Sequence, residues 1–222
     1  MGPNASIGHG VFAEVEALGV VPVVEVEEAA HAVPLARTLA EAGLPVLEVT
    51  FRTPAAGDAI AAIAAELPDF LLGAGTLLTP DSVAAALTAG ARFGVSPGVS
   101  PRCLAAAGER EFPFIPGAVT PSEVITCLDC GADHIKFFPA GVYGGATTLS
   151  ALAGPFTSAG VRFMPTGGVT ASNAADYLRL PHVFAVGGTW IAPRSDIAQG
   201  RWREIAERAR SAVTLSQSVE AS

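Results

Sequence analysis

Eight short apolar runs, rich in β-branched residues, recur along the chain with Ala-rich segments of helical character between them, and this alternation most restricts the fold. The runs are "VVPVVEV" (20–26), "VLEVTF" (46–51), "FLLGAGT" (70–76), "RFGVSPG" (92–98), "FPFIPGAV" (112–119), "HIKFFP" (134–139), "RFMPTGG" (162–168) and "VFAVGGTW" (183–190). The intervening segments include "EEAAHAVPLARTLAEAG" (27–43), "PAAGDAIAAIAAEL" (54–67) and "TPDSVAAALTAGA" (79–91). Several open on a Thr or Ser cap with Pro just inside, as at Thr79-Pro80 and Thr120-Pro121, and several close on Gly, as at Gly43, Gly90 and Gly131. Strands alternating with helices predict parallel β/α units. Eight units in 222 residues predict a (β/α)8 TIM barrel with trimmed loops, one domain over residues 1–222. An open doubly wound sheet also alternates, but no G-x-G-x-x-G follows the first strand, and eight units suit closure better. "SIGHGVFAEVEALG" predicts an extra N-terminal helix, and "LSQSVEAS" after the C-terminal helix predicts a loose tail.

With half of its residues hydrophobic and 15% charged, the chain is expected to fold compactly. A net charge of −8 argues against nucleic acid or an anionic membrane as partner, while leaving room for an anionic small molecule in a locally positive pocket. Glu, Arg, Pro and Gly interrupt every hydrophobic stretch well short of the ~18 residues of a membrane span. "MGPNASIGHG" has no basic region followed by an apolar run, so no signal peptide is expected and the protein is placed in the cytoplasm. Cys127 and Cys130 form a C-x-x-C without a second ligand pair or a thioredoxin-like context. Together with Cys103 they are expected to be structural thiols, not a metal site.

Within "HIKFFP" stands Lys136, the only lysine among 13 basic residues. Arg serves the chain for solubility and ion pairs, but Arg cannot lose its proton near neutral pH and attack a carbonyl. A lysine set among apolar residues is a candidate amine nucleophile. The alternative is a stem that packs while its head reaches water. Alternation along the strand puts His134, Lys136 and Phe138 on one side. The barrel interior, near the open end, is a cheaper place for the ammonium than the helix layer.

Chemistry in such barrels sits at the carboxyl ends of the strands. In "LEVTFRTP", Glu48, Thr50 and Arg52 share a parity, with an acid at mid-strand and a base at the mouth. Glu48 and Arg52 could simply pair with each other. A carboxylate inside an apolar strand nevertheless needs a reason and a partner, and a Glu beside an inward Lys can shuttle protons. Thr76 in "GAGT" offers a hydroxyl, and Pro97 in "VSPG" a rigid turn with exposed backbone polar groups. The pairs Gly167-Gly168 and Gly187-Gly188, followed by Thr189, end the last two strands. Paired glycines there let backbone N–H groups approach an anion, so they are expected to cradle a phosphate.

The chain also resembles the 2-keto-3-deoxy-6-phosphogluconate (KDPG) aldolase family, members of which often also cleave 4-hydroxy-2-oxoglutarate (KHG). The resemblance runs from about Val20 to Trp190 and into the last helix, through "VPVV", "HAVPLARTLAEAG", "VLEVTFRT", "GAGTLLTP", "SPG", "IPG", "KFFPA", "GPF", "PTGG" and "GGTW". It implies a class I aldolase that needs no metal or cofactor, acts through a lysine Schiff base on a 2-keto acid phosphate, and assembles as a homotrimer. By position it implies Lys136 as the Schiff-base lysine and Glu48 as general acid/base. Arg52, Thr76 and the backbone around Pro97 would hold the substrate carboxylate, Phe138 would shape the pocket, and Gly167, Gly168, Gly187, Gly188 and Thr189 would receive the phosphate. Three departures concern specificity: Glu25 and Glu27 where some relatives have a basic residue, "GVYGG" after "KFFPA" where many have an acid, and Thr189 where Ser is common. The sister 6-phosphogalactonate activity, and a phosphate-binding isomerase or non-catalytic metabolite binder, are the alternatives carried forward.

Overall fold

Strand register and hydrogen bonds across two seams turn the alternating elements into a closed barrel. The computed structural model describes residues 9–220. The parallel strands are β1 (Val20–Val24), β2 (Val46–Thr50), β3 (Leu71–Gly75), β4 (Phe93–Val95), β5 (Phe114–Ile115), β6 (His134–Phe137), β7 (Arg162–Pro165) and β8 (Val186–Gly188). Six form one curled sheet in the order β5-β4-β3-β2-β1-β8, while β6 and β7 pair as a separate two-stranded piece. At one seam Lys136 N–H donates to Pro116 O (2.8 Å) and Ala118 N–H to Lys136 O (2.9 Å). At the other, Phe163 N–H donates to His182 O (2.7 Å) and Phe184 N–H to Phe163 O (3.1 Å). The result is the expected (β/α)8 barrel.

The connections between strands carry α2 (Ala32–Glu41), α3 (Ala56–Glu66), α4 (Pro80–Thr88), α5 (Pro101–Gly108), α6 (Pro121–Asp129), α7 (Gly145–Ala153) and α8 (Ala174–Leu178). After β8 come α9 (Arg194–Ala198) and α10 (Trp202–Glu220). The Thr-Pro signals are helix starts with reciprocal caps. Thr79 and Ser82 exchange side chain–backbone bonds of 3.1 Å each way, and Thr120 N–H donates to Glu123 Oε2 (2.9 Å) while Glu123 N–H donates to Thr120 Oγ1 (3.3 Å). Cys127 is buried on α6, and burial pushes its thiol up to about 12, which suits the structural role expected of it. Among the described residues no helix is long and apolar enough to cross a membrane.

The strands are shorter than the apolar runs because each run continues past its ladder into a loop at the barrel mouth. The fifth is cut to two residues, bracketed by Pro113 and Pro116, which have no N–H to donate. A larger difference lies at the C-terminus. "LSQSVEAS", expected as a loose tail, is helical through Glu220 in α10. Ser216 is buried there, against Gly19, where a Cβ would stand 2.0 Å from Ser216 Oγ. One small polar residue, Ser216, fits the interface that the composition of the segment concealed.

Ahead of β1, α1 (His9–Leu18) is the extra helix; residues 6–8 of that expectation lie outside the described residues. It covers the amino end of the barrel. Phe12 stacks on His134 with ring centroids 4.5 Å apart, Glu14 takes two bonds from Arg92 (2.8 and 2.6 Å), and Glu16 pairs with Arg162.

Beyond β8 the chain is clamped by Asp196, a buried carboxylate bonded by Arg201 (Nε at 2.9 Å) and Arg208. The hydrogen bonds from Arg201, aided by Arg208, hold its carboxyl below the usual carboxylate range despite burial. A depressed pKa contributes stability that is present above the unfolded-state value of about 4 and is lost as pH falls through the folded value. Asp196→Asn is therefore expected to lower Tm by several degrees at pH 7, and the gap to the parent is expected to narrow as pH is taken below about 4. Thermal melts across that range check this, and a gap independent of pH would contradict it.

Candidate active site

A cavity of about 220 Å³ opens at the carboxyl ends of the strands. Its floor is set by β2 and β6. Glu48 is fully buried and Lys136 is 5% exposed, and Lys136 Nζ donates to Glu48 Oε1 at 3.0 Å and Oε2 at 3.4 Å. An unpartnered ammonium at this depth would cost several kcal/mol, roughly, and so would an unpartnered carboxylate. The pair satisfies both. Phe138, above Lys136, presents its ring 5.4 Å from Nζ, close enough for a cation–π contact. The amine therefore has an acid/base group on one side and an aromatic wall on the other.

The carboxylate fits because β3 gives way. Glu48 is in register with Gly73 on β3, which is in register with Phe93 on β4. A Cβ on Gly75 would lie 2.1 Å from Glu48 Oε1, and a Cβ on Gly73 would lie 2.3 Å from the Phe93 ring. Just past Gly75, Thr76 holds φ +61°, a left-handed conformation that costs a β-branched residue roughly 1–3 kcal/mol. Thr76 lines the cavity. Strain at that point is one mark of a site where position matters more than stability.

Around the rim, Arg52, Pro97, Gly167, Gly168, Gly188 and Thr189 also line the cavity. Gly117 permits the 97–98 backbone to come close, since a Cβ there would meet Pro97 O at 2.3 Å. Gly187 is not at the wall: a Cβ on it would lie 2.4 Å from Thr166 Oγ1, so it makes room for a neighbour. The alternative of an ion pair between Glu48 and Arg52 does not occur. Arg52, two residues beyond β2, reaches outward to Glu25 (2.9 Å), which also binds Arg194 (3.3 Å).

Sequence reading left four wall residues unassigned: Val23, Thr50, Thr166 and Val169. Thr50 shares the parity of Glu48 and could have been found by it, although its hydroxyl is engaged with Val24 O (2.9 Å). Thr166 stands beside the paired glycines it accompanies.

Comparison with known proteins shows what the whole chain is similar to. The family model for KDPG and KHG aldolases matches residues 11–208. The KHG/KDPG aldolase of Escherichia coli K12 is 47% identical over 194 residues, 87% of this chain and 90% of that protein. The KDPG aldolase of Legionella pneumophila, whose crystal structure holds pyruvate as a covalent carbinolamine, superposes with a TM-score of 0.86 at 42% identity, over 96% of this chain and 98% of that one. The Zymomonas mobilis ZM4 enzyme with 3-phosphoglycerate superposes at 0.82 and 39% identity, over 90% of this chain and 94% of that one.

The crowding at Gly75 is testable directly. Gly75→Ala is expected to displace the Glu48 carboxylate and break its hydrogen bond to Lys136, leaving the far-UV circular dichroism of the barrel unchanged. A crystal structure of the variant checks it; a carboxylate still 3.0 Å from Nζ would mean that β3 yields instead.

Proposed function

The chain belongs to the KDPG and KHG aldolase family, and on that premise we propose that it cleaves 2-keto-3-deoxy-6-phosphogluconate to pyruvate and glyceraldehyde 3-phosphate through a Schiff base on Lys136. The observation that carries this reading is the buried pairing of the chain's only lysine with Glu48 at the floor of the cavity. The name of the E. coli relative includes both substrates, and 4-hydroxy-2-oxoglutarate, giving pyruvate and glyoxylate, is the second substrate in this reading.

Lys136 gives up its ammonium proton, Nζ adds to the C2 carbonyl of the substrate, and the same proton, returned to the carbinolamine hydroxyl, carries that oxygen off as water and leaves an iminium. Glu48 takes the proton of the C4 hydroxyl. The C4–O electron pair then becomes the aldehyde carbonyl, while the C3–C4 pair flows into the iminium and leaves an enamine. With the aldehyde gone, Glu48 returns a proton to C3, and water hydrolyses the iminium to free pyruvate and the amine. One carboxylate thus serves both proton transfers and ends in its starting state.

Arg52, Thr76 and the backbone at Pro97 are the proposed holders of the pyruvoyl carboxylate, the planar guanidinium suiting a bidentate contact. Glu25 occupies only Nη1 of Arg52, which leaves the rest of the fork for substrate. At the opposite wall Gly167, Gly168, Gly188 and Thr189 are the proposed phosphate contacts, with Gly187 supporting them from behind. One barrel domain spanning 1–222, a homotrimeric assembly and a cytoplasmic location complete the reading. The exposed apolar side chains of Leu78, Val142 and Tyr143 offer surface for subunit contacts.

Borohydride reduction in the presence of pyruvate is expected to leave one adduct on Lys136, mapped by mass spectrometry and lost in Lys136→Arg together with cleavage. Glu48→Gln should still trap pyruvate but lose roughly 10²–10⁴ in kcat. Cleavage that survives in Lys136→Arg would sink the mechanism.

A further inference from the structure

The tandem glycines after β7 are held by their carbonyls. Gly167 and Gly168 both lie in the left-handed region, with φ +84° and +83°. Around them three successive carbonyls accept hydrogen bonds from the protein behind: Thr166 O from Ala140 N–H (2.8 Å), Gly167 O from Gly141 N–H (2.8 Å) and Gly168 O from Asn173 Nδ2 (3.0 Å). The first two donors are backbone groups that any sequence without proline would supply there. Only the third comes from a side chain. Asn173 uses its other end as well, Oδ1 accepting from Thr170 N–H (2.8 Å), so one amide spans both sides of the turn and each end has its proper partner.

Successive backbone N–H groups in a turn can converge on one concavity and bind an anion there. Gly167, Gly168 and Val169 line the cavity, while the carbonyls of Thr166, Gly167 and Gly168 are engaged with the protein. The space is also closed to side chains, since a Cβ on Gly168 would lie 3.0 Å from the Gly141 Cα. Asn173 itself does not line the cavity.

We infer that Asn173 is a positioning residue for the phosphate end of the substrate: by pinning Gly168 O and Thr170 N–H it keeps the amides of the 167–169 turn aimed at the anion. The inference rests on the functional reading above and adds to it a side chain that holds the turn from behind.

Steady-state kinetics with 2-keto-3-deoxy-6-phosphogluconate and with unphosphorylated 4-hydroxy-2-oxoglutarate test it in the full-length enzyme. Asn173→Ala is expected to raise KM for the phosphorylated substrate about three- to tenfold, the loss typical of one hydrogen bond, with kcat and both constants for the unphosphorylated substrate unchanged. Asn173→Ser, short enough to keep a cap on Thr170 N–H but not to reach Gly168 O, should show the same split and guards against a folding defect in the first variant. Equal losses on both substrates, or a change in kcat alone, would make Asn173 merely structural and overturn the inference. If the parent itself gains nothing from the phosphate, while Lys136 still traps pyruvate, the phosphate subsite and this inference fall together and the aldolase chemistry stands.

Discussion

The hydrogen bond between Lys136 and Glu48 is the constraint around which the rest of the barrel is arranged. Two ionisable groups lie almost wholly out of water, 3.0 Å apart, one from β6 and one from β2. Neither could be buried alone at tolerable cost, so each depends on the other and on the distance between their strands. Room for the carboxylate comes from Gly75, and Phe93 fills the space opened beside Gly73. The same arrangement leaves the amine facing a cavity where an electrophile can reach it. Reactivity and burial are two readings of one placement.

Much of this was legible in the sequence because it follows from short-range rules. Alternation of apolar runs and Ala-rich segments was enough for eight strands and their order, and Thr-Pro pairs marked two helix starts whose caps form as expected. Strand parity put Glu48 and Lys136 on inward faces, and the solitary lysine drew attention to itself. What was not legible depends on distance in space. Arg52 shares the parity of Glu48, yet it stands two residues past the strand end, where Glu25 is nearer than anything in the interior. Ser216 looked like tail until Gly19 supplied a place for it. Asn173 is unremarkable five residues after the glycines, and its importance appears only when the carbonyl it meets is seen to belong to the turn that lines the cavity.

Above the buried pair, the rim of the cavity carries a separate set of ion pairs. Glu25 ties Arg52, just past β2, to Arg194 on α9, and Glu27 also pairs with Arg194. These contacts are half exposed and individually weak. Their effect is on where the Arg52 fork rests before substrate arrives, not on whether the barrel folds. The strong electrostatic clamp lies deeper, at Asp196.

The barrel is built from a six-stranded piece and a two-stranded piece, and the proposed substrate contacts are divided between them. Lys136 and the turn after β7 belong to the small piece; Glu48, Arg52, Thr76, Gly188 and Thr189 belong to the large one. A keto acid bonded to Lys136 and gripped by Arg52 is then a rivet across the seams, and a phosphate shared between the ends of β7 and β8 is a second.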